Sequence, residues 1–356
     1  MTVLYLYPRT SAFIRRDLEM LREDLIVHEH EFGTGNKLFM PWRLIVQLAF
    51  LLRHRAWQRT IICHFAGYHS VLPCLIARSS AIILAGSDAA NFPNINYGNF
   101  RKYLYAKATG LSLRKANVLL PVDGTLIRTE QTYDAEAPRE QGVHAFVPDL
   151  HTPYRTVHYG FDEQVWNCLP GTNRDPALIT CVASGVSPNN STHYRKGIDL
   201  LLGTAPMFPD LRFRVVGSPT PDQYRSLPAN VTMMRPMDAD HLRSLFCEST
   251  FYLQASIMEG FPNALCEAML CGCIPIVSNV AAMPRIIGES GFVISARSIQ
   301  MLAECITAAN ALDGSGRERL SKLARERIVS NYSRKTRKDA LMEVTTSLQD
   351  ITSFTL

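Results

Sequence analysis

The stretch Ser256-Ile257-Met258-Glu259-Gly260-Phe261-Pro262-Asn263-Ala264-Leu265-Cys266-Glu267-Ala268-Met269 decides how this sequence is read. An apolar run, Phe251–Gln254, precedes it and reads as a strand. A glycine-containing turn carries Glu259. A helix opens near Pro262, a residue suited to a first helical position. Gly272 ends the helix, and Ile274–Val277 is the next strand. The amides of a helix start are unpaired donors at the positive end of the dipole, so an anion such as a diphosphate is stabilised there. Glu267 falls about one turn inside, where a carboxylate can accept two hydrogen bonds from a vicinal diol. Spacing alone also fits a surface loop acid at 259 and a dipole-compensating acid at 267.

Working outward, the strand-then-helix pattern repeats on both sides. Val3–Tyr7, Thr60–Cys63, Ala81–Leu84, Val118–Pro121 and Arg155–His158 read as strands of a first half. Ala12–Arg22 reads as a helix between two of them. The segment Leu169–Pro176, dense in Pro, Gly, Asn and Asp, reads as the end of a linker. Ala177–Ala183 and Phe213–Val216 then join the two strands above, with a helix over Gly197–Leu202. Arg317–Ser330 reads as an amphipathic helix with Leu320, Leu323, Ala324 and Ile328 on one face. This is an α/β chain with parallel sheets covered on both faces. The expected division is 1–162, a linker at 163–176, 177–316, and a helical tail at 317–356.

Composition bounds the function. The chain has 356 residues, which suits two domains, and 47% of them are hydrophobic, which excludes wholesale disorder. The net charge of +5 is too small to argue for nucleic acid. The basic excess lies in Arg317–Lys338, with nine Lys or Arg against two Glu. Nine cysteines without metal or disulfide spacing read as buried reduced thiols. The N-terminus has no signal-peptide pattern, and the apolar run Leu44–Leu52 is too short to span a membrane, so a cytoplasmic protein is expected.

The two glutamates seven residues apart, with Gly-Phe-Pro-Asn after the first and Glu-Ala-Met completing the second, resemble the signature of retaining GT-B glycosyltransferases of family 4. Gly272-Cys273-Ile274-Pro275-Ile276-Val277 resembles the run that follows it in that family. Ser184-Gly185, Arg195-Lys196-Gly197-Ile198-Asp199, Val215-Val216-Gly217 and Tyr159-Gly160-Phe161-Asp162 extend the resemblance over most of the chain. The resemblance implies a GT-B fold, two Rossmann-like domains facing a central cleft, with a C-terminal helix crossing back to the N-terminal one. The N-terminal half would take the acceptor and the C-terminal half a nucleotide sugar.

Carried over by position, Glu267 would bind the ribose and Glu259 the donor sugar. Gly260, Phe261 and Asn263 would offer amides to the donor, and Pro262 would fix the turn. Ser184 and Gly185 would line the donor site. Lys196 would neutralise the departing diphosphate, with Arg195 or His193 as a second cation, because the position where the family carries Arg is Val186. The next loop also departs, with Arg285 where the family often has Glu. Base contacts are expected near Arg235–Met237. Ala85-Gly86-Ser87-Asp88 aligns with a His-Gly-x-Asp pattern whose His is Ala85 here. Asp88 is then either an acceptor-orienting catalytic residue or a turn acid, and Ser87, His64 and His69 are acceptor-side residues. No metal and no cofactor are expected, since the nucleotide sugar is a co-substrate.

The expected partners are that donor, a glycan or lipid-linked acceptor, and an anionic membrane face. Leu38–Arg59 mixes Phe39, Trp42 and Trp57 with arginines and reads as an interfacial segment, reinforced by the basic tail. An epimerase of the same fold and a non-catalytic sugar-binding scaffold are the competing readings.

Overall fold

The structure, a computed structural model, describes residues 1–169 and 171–353. Pro170 of the expected linker and residues 354–356 of the expected tail lie outside the described residues. The chain packs into two units. One holds Met1–Glu130, Glu140–Gly160 and the chain from Arg334 onward; the other holds Gln131–Arg139 and Phe161–Ser333.

The first unit runs β1 (Thr2–Tyr7), α1 (Ala12–Arg22), β2 (Ile26–Glu31), α2 (Met40–Arg53), β3 (Thr60–His64), α3 (Tyr68–Ile76), β4 (Ser79–Leu84), α4 (Tyr103–Lys115) and β5 (Val118–Pro121). A two-stranded hairpin, β6 (Thr129–Glu130) with β7 (Glu140–Gln141), and the short α5 (Val143–Phe146) follow. The five-stranded sheet has the order β2-β1-β3-β4-β5, and every pair is parallel. β3 and β4 are buried along their whole length, which is why they read as unbroken apolar runs. Right-handed crossovers place α1 on one face and α2, α3 and α4 on the other.

The second unit runs β8 (Asp175–Val182), α6 (Ser191–Arg195), α7 (Ile198–Thr204), β9 (Arg212–Val216), β10 (Val231–Met234), α8 (Ala239–Glu248), β11 (Ser249–Gln254), α9 (Asn263–Leu270), β12 (Ile274–Ser278), α10 (Met283–Ile287), β13 (Phe292–Ile294), α11 (Ile299–Asn310) and α12 (Gly314–Asn331). Its six parallel strands lie in the order β10-β9-β8-β11-β12-β13. The strand order reverses between β8 and β11. That is the switch point at whose carboxyl end such sheets bind ligands.

A last helix, α13 (Arg334–Ser353), returns to the first unit and packs on α1, β3 and β4. Its anchor is Arg337, fully buried, whose guanidinium forks onto Asp17 of α1 at 3.1 and 2.7 Å and also donates to the carbonyls of Val157 and His158. The Tyr5 hydroxyl donates to the same Asp17 at 3.1 Å. A buried guanidinium survives only when paired and hydrogen-bonded throughout, and this one is.

Several expectations change. The helix expected as the start of the tail, Arg317–Ser330, is α12 of the second unit, packed on α9; the return to the first unit begins at Arg334. The expected linker 163–176 belongs to the second unit, and so does the excursion Gln131–Arg139. Arg155–His158 is not a ladder strand. It runs beside β5, with the Arg155 and Val157 amides on the carbonyls of Leu119 and Pro121. β2 is an additional strand, hidden because His28, Glu29, His30 and Glu31 sit on an edge; β10 and β13 are likewise additional. Pro262 is the N-cap of α9 rather than its first helical residue.

The cysteines are not all reduced. Cys168 and Cys247 form a disulfide across 79 residues of sequence, a separation that gives no spacing signal, and the Cys271 sulfur lies beside them. The basic tail is not a free positive surface. Arg334 and Lys338 pair with Glu23, Lys338 also with Asp24, and Arg325 holds the carbonyls of Glu163, Trp166 and Leu270.

Candidate active site

The switch point of the second unit gathers three loops. The first follows β8, where Ser184 and Gly185 are exposed; Gly185 has φ +77°, with open space where a Cβ would stand. The second joins α6 to α7. Gly197 there has φ +66°, and a Cβ would lie 2.2 Å from the Ala255 carbonyl oxygen, so only glycine lets the chain pass so close to the end of β11. The third is the Ser256–Pro262 loop after β11, tied to the second by the Ile257 amide donating to the Arg195 carbonyl at 2.8 Å.

This close passage puts Lys196 on Glu259, Nζ to Oε1 2.6 Å, with the two side chains only 16% and 9% exposed. Burial pushes the Glu259 carboxyl up, but the Lys196 ammonium and the Arg195 guanidinium outweigh it and hold the group below its usual range. Glu259 is therefore a carboxylate at neutral pH, with a cation in contact.

α9 starts one residue after Pro262, and its first-turn amides have no carbonyl four residues back within the helix. Glu267, buried, lies in the second turn of the same helix. The Phe261 ring packs on Phe161 at 6.3 Å and on Tyr332 at 5.4 Å, which fixes the loop from outside; the Asn263 side chain donates to the Phe261 carbonyl at 3.3 Å. The arrangement offers a cation, a carboxylate and a helix start at one strand-end crevice, suited to an anion joined to a polyol. Val186, at the position where the resemblance would place an arginine, is fully buried. His193 is turned to Tyr224, Nδ1 to hydroxyl 3.1 Å.

In the first unit, the acceptor-side residues are placed differently from one another. Asp88 is fully buried and accepts from the amides of Ala85 at 3.1 Å, Gly86 at 3.0 Å and Ala66 at 3.0 Å. It clamps the loops after β3 and β4; burial pushes its carboxyl up to about 6 against those hydrogen bonds. His64 has both ring nitrogens engaged, with Tyr5 and Tyr159 hydroxyls each at 2.8 Å, and burial takes it down to about 3. His69 contacts the His64 carbonyl through Nε2 at 2.9 Å and is taken down to about 4, also by burial. Both are neutral core histidines in this structure. Ser87 is half-buried at the loop.

Sequence reasoning missed the excursion Gln131–Arg139. The Gln131 Oε1 accepts the Tyr133 amide at 2.6 Å, and the Tyr133 carbonyl accepts the Arg297 amide at 2.8 Å, which docks this segment in the second unit. Its polar composition gave no periodicity to find it by.

Two Rossmann-like parallel sheets, one in each unit, are the architecture of the GT-B class. Residues 185–310 match the family described as glycosyl transferases group 1. The chain has the GT-B fold, and its second unit carries the stretch that matches this family. It is 27% identical over 165 residues to one component of human phosphatidylinositol N-acetylglucosaminyltransferase, and 30% over 114 residues to the Arabidopsis thaliana protein of the same name. These matches take in 38% and 29% of this chain and span only 34% and 25% of the relatives' lengths. Among solved structures, sucrose-phosphate synthase from Thermosynechococcus elongatus is 14% identical with a TM-score of 0.74, over 98% of this chain and 99% of that one. HepE of Anabaena, in complex with UDP-glucose, is 14% identical with a TM-score of 0.71, over 98% and 100%. At this identity the two structures carry the fold.

Proposed function

We propose that the protein is a retaining glycosyltransferase. It would move a sugar from a nucleotide diphosphate donor to a hydroxyl of a glycan or glycolipid, in the synthesis of a bacterial surface polysaccharide or lipopolysaccharide. The observation that carries this reading is the Lys196–Glu259 contact at the switch point, one loop from the start of α9. Leaving-group charge grows on the diphosphate in the transition state. An ammonium and a helix start already in place stabilise that charge without reorganising. Glu259 would accept hydrogen bonds from the donor sugar while Lys196 turns to the diphosphate, and Glu267 would hold the ribose. These groups supply the positive charge that a metal ion would otherwise bring, so the reaction would be metal-independent. Acceptor recognition falls to the first unit, with Ser87 at its half-buried strand-end loop. Asp88 shapes that loop through three backbone amides.

Calorimetric titration with UDP, GDP, CDP and ADP, then with their sugars, tests the donor. The HepE complex puts UDP-glucose first in the series. One nucleoside diphosphate should bind, and its sugar should be transferred to an acceptor hydroxyl with retention; chelation with EDTA should leave the rate unchanged. Isomerisation of the donor without any acceptor would make the protein an epimerase. Binding without turnover would make it a scaffold, and metal-restorable loss of activity would overturn the metal-free chemistry.

A further inference from the structure

Helix α2 is built inside out. Its inner side presents Gln47, fully buried, whose Nε2 donates to the His69 carbonyl at 2.8 Å, and Leu51 one turn on. Its outer side presents Trp42, Ile45, Val46 and Leu52, with Trp42 64%, Ile45 58% and Leu52 53% exposed. A helix covering a sheet normally turns its apolar stripe inward and its polar residues to water. Residues 42, 45, 46, 49 and 52 recur at helical spacing, so the exposed apolar groups form one strip rather than scattered singles. Leu38 and Phe39 extend the strip before the helix.

Charge separates the possible occupants of this face. From Phe32 to Val122 the sequence contains one carboxylate, Asp88, and eleven Lys or Arg. Asp88 is buried beneath the loops it clamps. The layer α2, α3 and α4 therefore bears no acid of its own, and α2 packs on α3, which packs on α4. Arg53 and Arg55 are exposed where α2 ends, and Lys102 lies just before α4, whose first turn exposes Tyr103 and Leu104. Arg114, on the last turn of α4, is answered by Asp149 from outside the layer. A second copy of the chain set on this face would bring two acid-free basic layers together. An anionic lipid surface satisfies both the apolar strip and the arginines.

We infer that the outer face of the α2–α3–α4 layer docks on an anionic membrane, with Trp42, Ile45 and Leu52 entering the acyl boundary and Arg53 and Arg55 among the headgroups. The basic C-terminal stretch takes no part, because Arg337 is buried on Asp17 and Arg334 and Lys338 are paired with Glu23. This deepens the proposed function by placing the enzyme where a lipid-linked acceptor lies. It does not rest on the donor chemistry.

The full chain is sedimented with vesicles of phosphatidylcholine, with and without phosphatidylglycerol, at low and raised salt. Binding should require phosphatidylglycerol and fall as salt rises. An arginine near such a surface is worth about fivefold in partition, so Arg53→Ala with Arg55→Ala should weaken binding roughly 25-fold. Trp42→Ser with Ile45→Ser should remove binding although charge is unchanged, while Lys322→Glu with Lys335→Glu on the C-terminal helices should leave it intact. All of these side chains point outward, and an unchanged melting temperature verifies each variant; the arginine pair decides the matter alone if the apolar variant misfolds. No binding to anionic vesicles at low salt overturns the inference, and so does binding indifferent to the α2 variants. A dimer in sedimentation velocity that Trp42→Ser abolishes also overturns it, because the face then belongs to a second copy. Nucleotide titration without vesicles reads the proposed function separately.

Discussion

Replacing Lys196 by Met isolates what the contact at the switch point does. The thioether keeps most of the side-chain volume and removes the charge, leaving Glu259 buried with Arg195 as the remaining nearby cation. Removing one partner of a fully buried ion pair costs about 3–5 kcal/mol. These side chains retain 16% and 9% exposure, so the low end, about 3 kcal/mol, is expected. For a unit of this size that corresponds to a fall in Tm of about 6–12 °C near neutral pH.

The loss should depend on pH with a definite sign. In the parent, Glu259 lies below its unfolded value, so its contribution is present above about pH 4.3 and is lost as pH falls through the folded value. In Lys196→Met, burial dominates and the carboxyl rises, so its ionised form costs stability at neutral pH and protonation relieves that cost. The gap between the two proteins should be widest near neutrality and close steadily on acidification. Scanning calorimetry across that range measures it. A gap that stays constant with pH, or no gap at all, would refute the claim that the ammonium holds Glu259 ionised. The same variant should lose turnover by a larger factor than it loses donor affinity, because the diphosphate charge grows only in the transition state.

Glu267→Ala should weaken nucleoside diphosphate binding by about 2–3 kcal/mol, roughly 30–150-fold, whereas Glu259→Gln should cut turnover and leave free-nucleotide affinity nearly intact; calorimetry with the free nucleotide separates the two, and equal losses would contradict the division of roles. Asp17→Ala should strand the buried Arg337 guanidinium and cost about 3–5 kcal/mol, read as a fall in urea midpoint, with the released α13 detected by proteolysis.

The sequence by itself determined the α/β class, the strands that are buried on both faces, and the position of the candidate donor loop. Each of those is written locally: short apolar runs bounded by turn residues and alternating with helical segments mark the buried strands, and Glu259, Gly260, Pro262 and Glu267 sit within nine residues of one another. Lys196 was legible only through the resemblance of Arg195-Lys196-Gly197 to a known helix-start motif. Tertiary structure alone decided what those residues touch. Lys196 and Glu259 are 63 positions apart, and the 2.2 Å approach of a Gly197 Cβ to Ala255 that brings them together exists only once β8 and β11 are neighbours. Asp17 and Arg337, 320 positions apart, read as surface charges until α13 lies on α1 and water is excluded from both. His64 and His69 read as candidate ligands because a ring nitrogen says nothing about its partner; Tyr5 and Tyr159 close off the first and the His64 carbonyl occupies the second. Leu38–Arg59 read as an interfacial segment from its mix of aromatic residues and arginines, but the orientation of α2 within it is decided by packing. Hydrophobic spacing shows that a helix has an apolar stripe, but only packing, with Gln47 inward on the His69 carbonyl, shows which way the stripe faces.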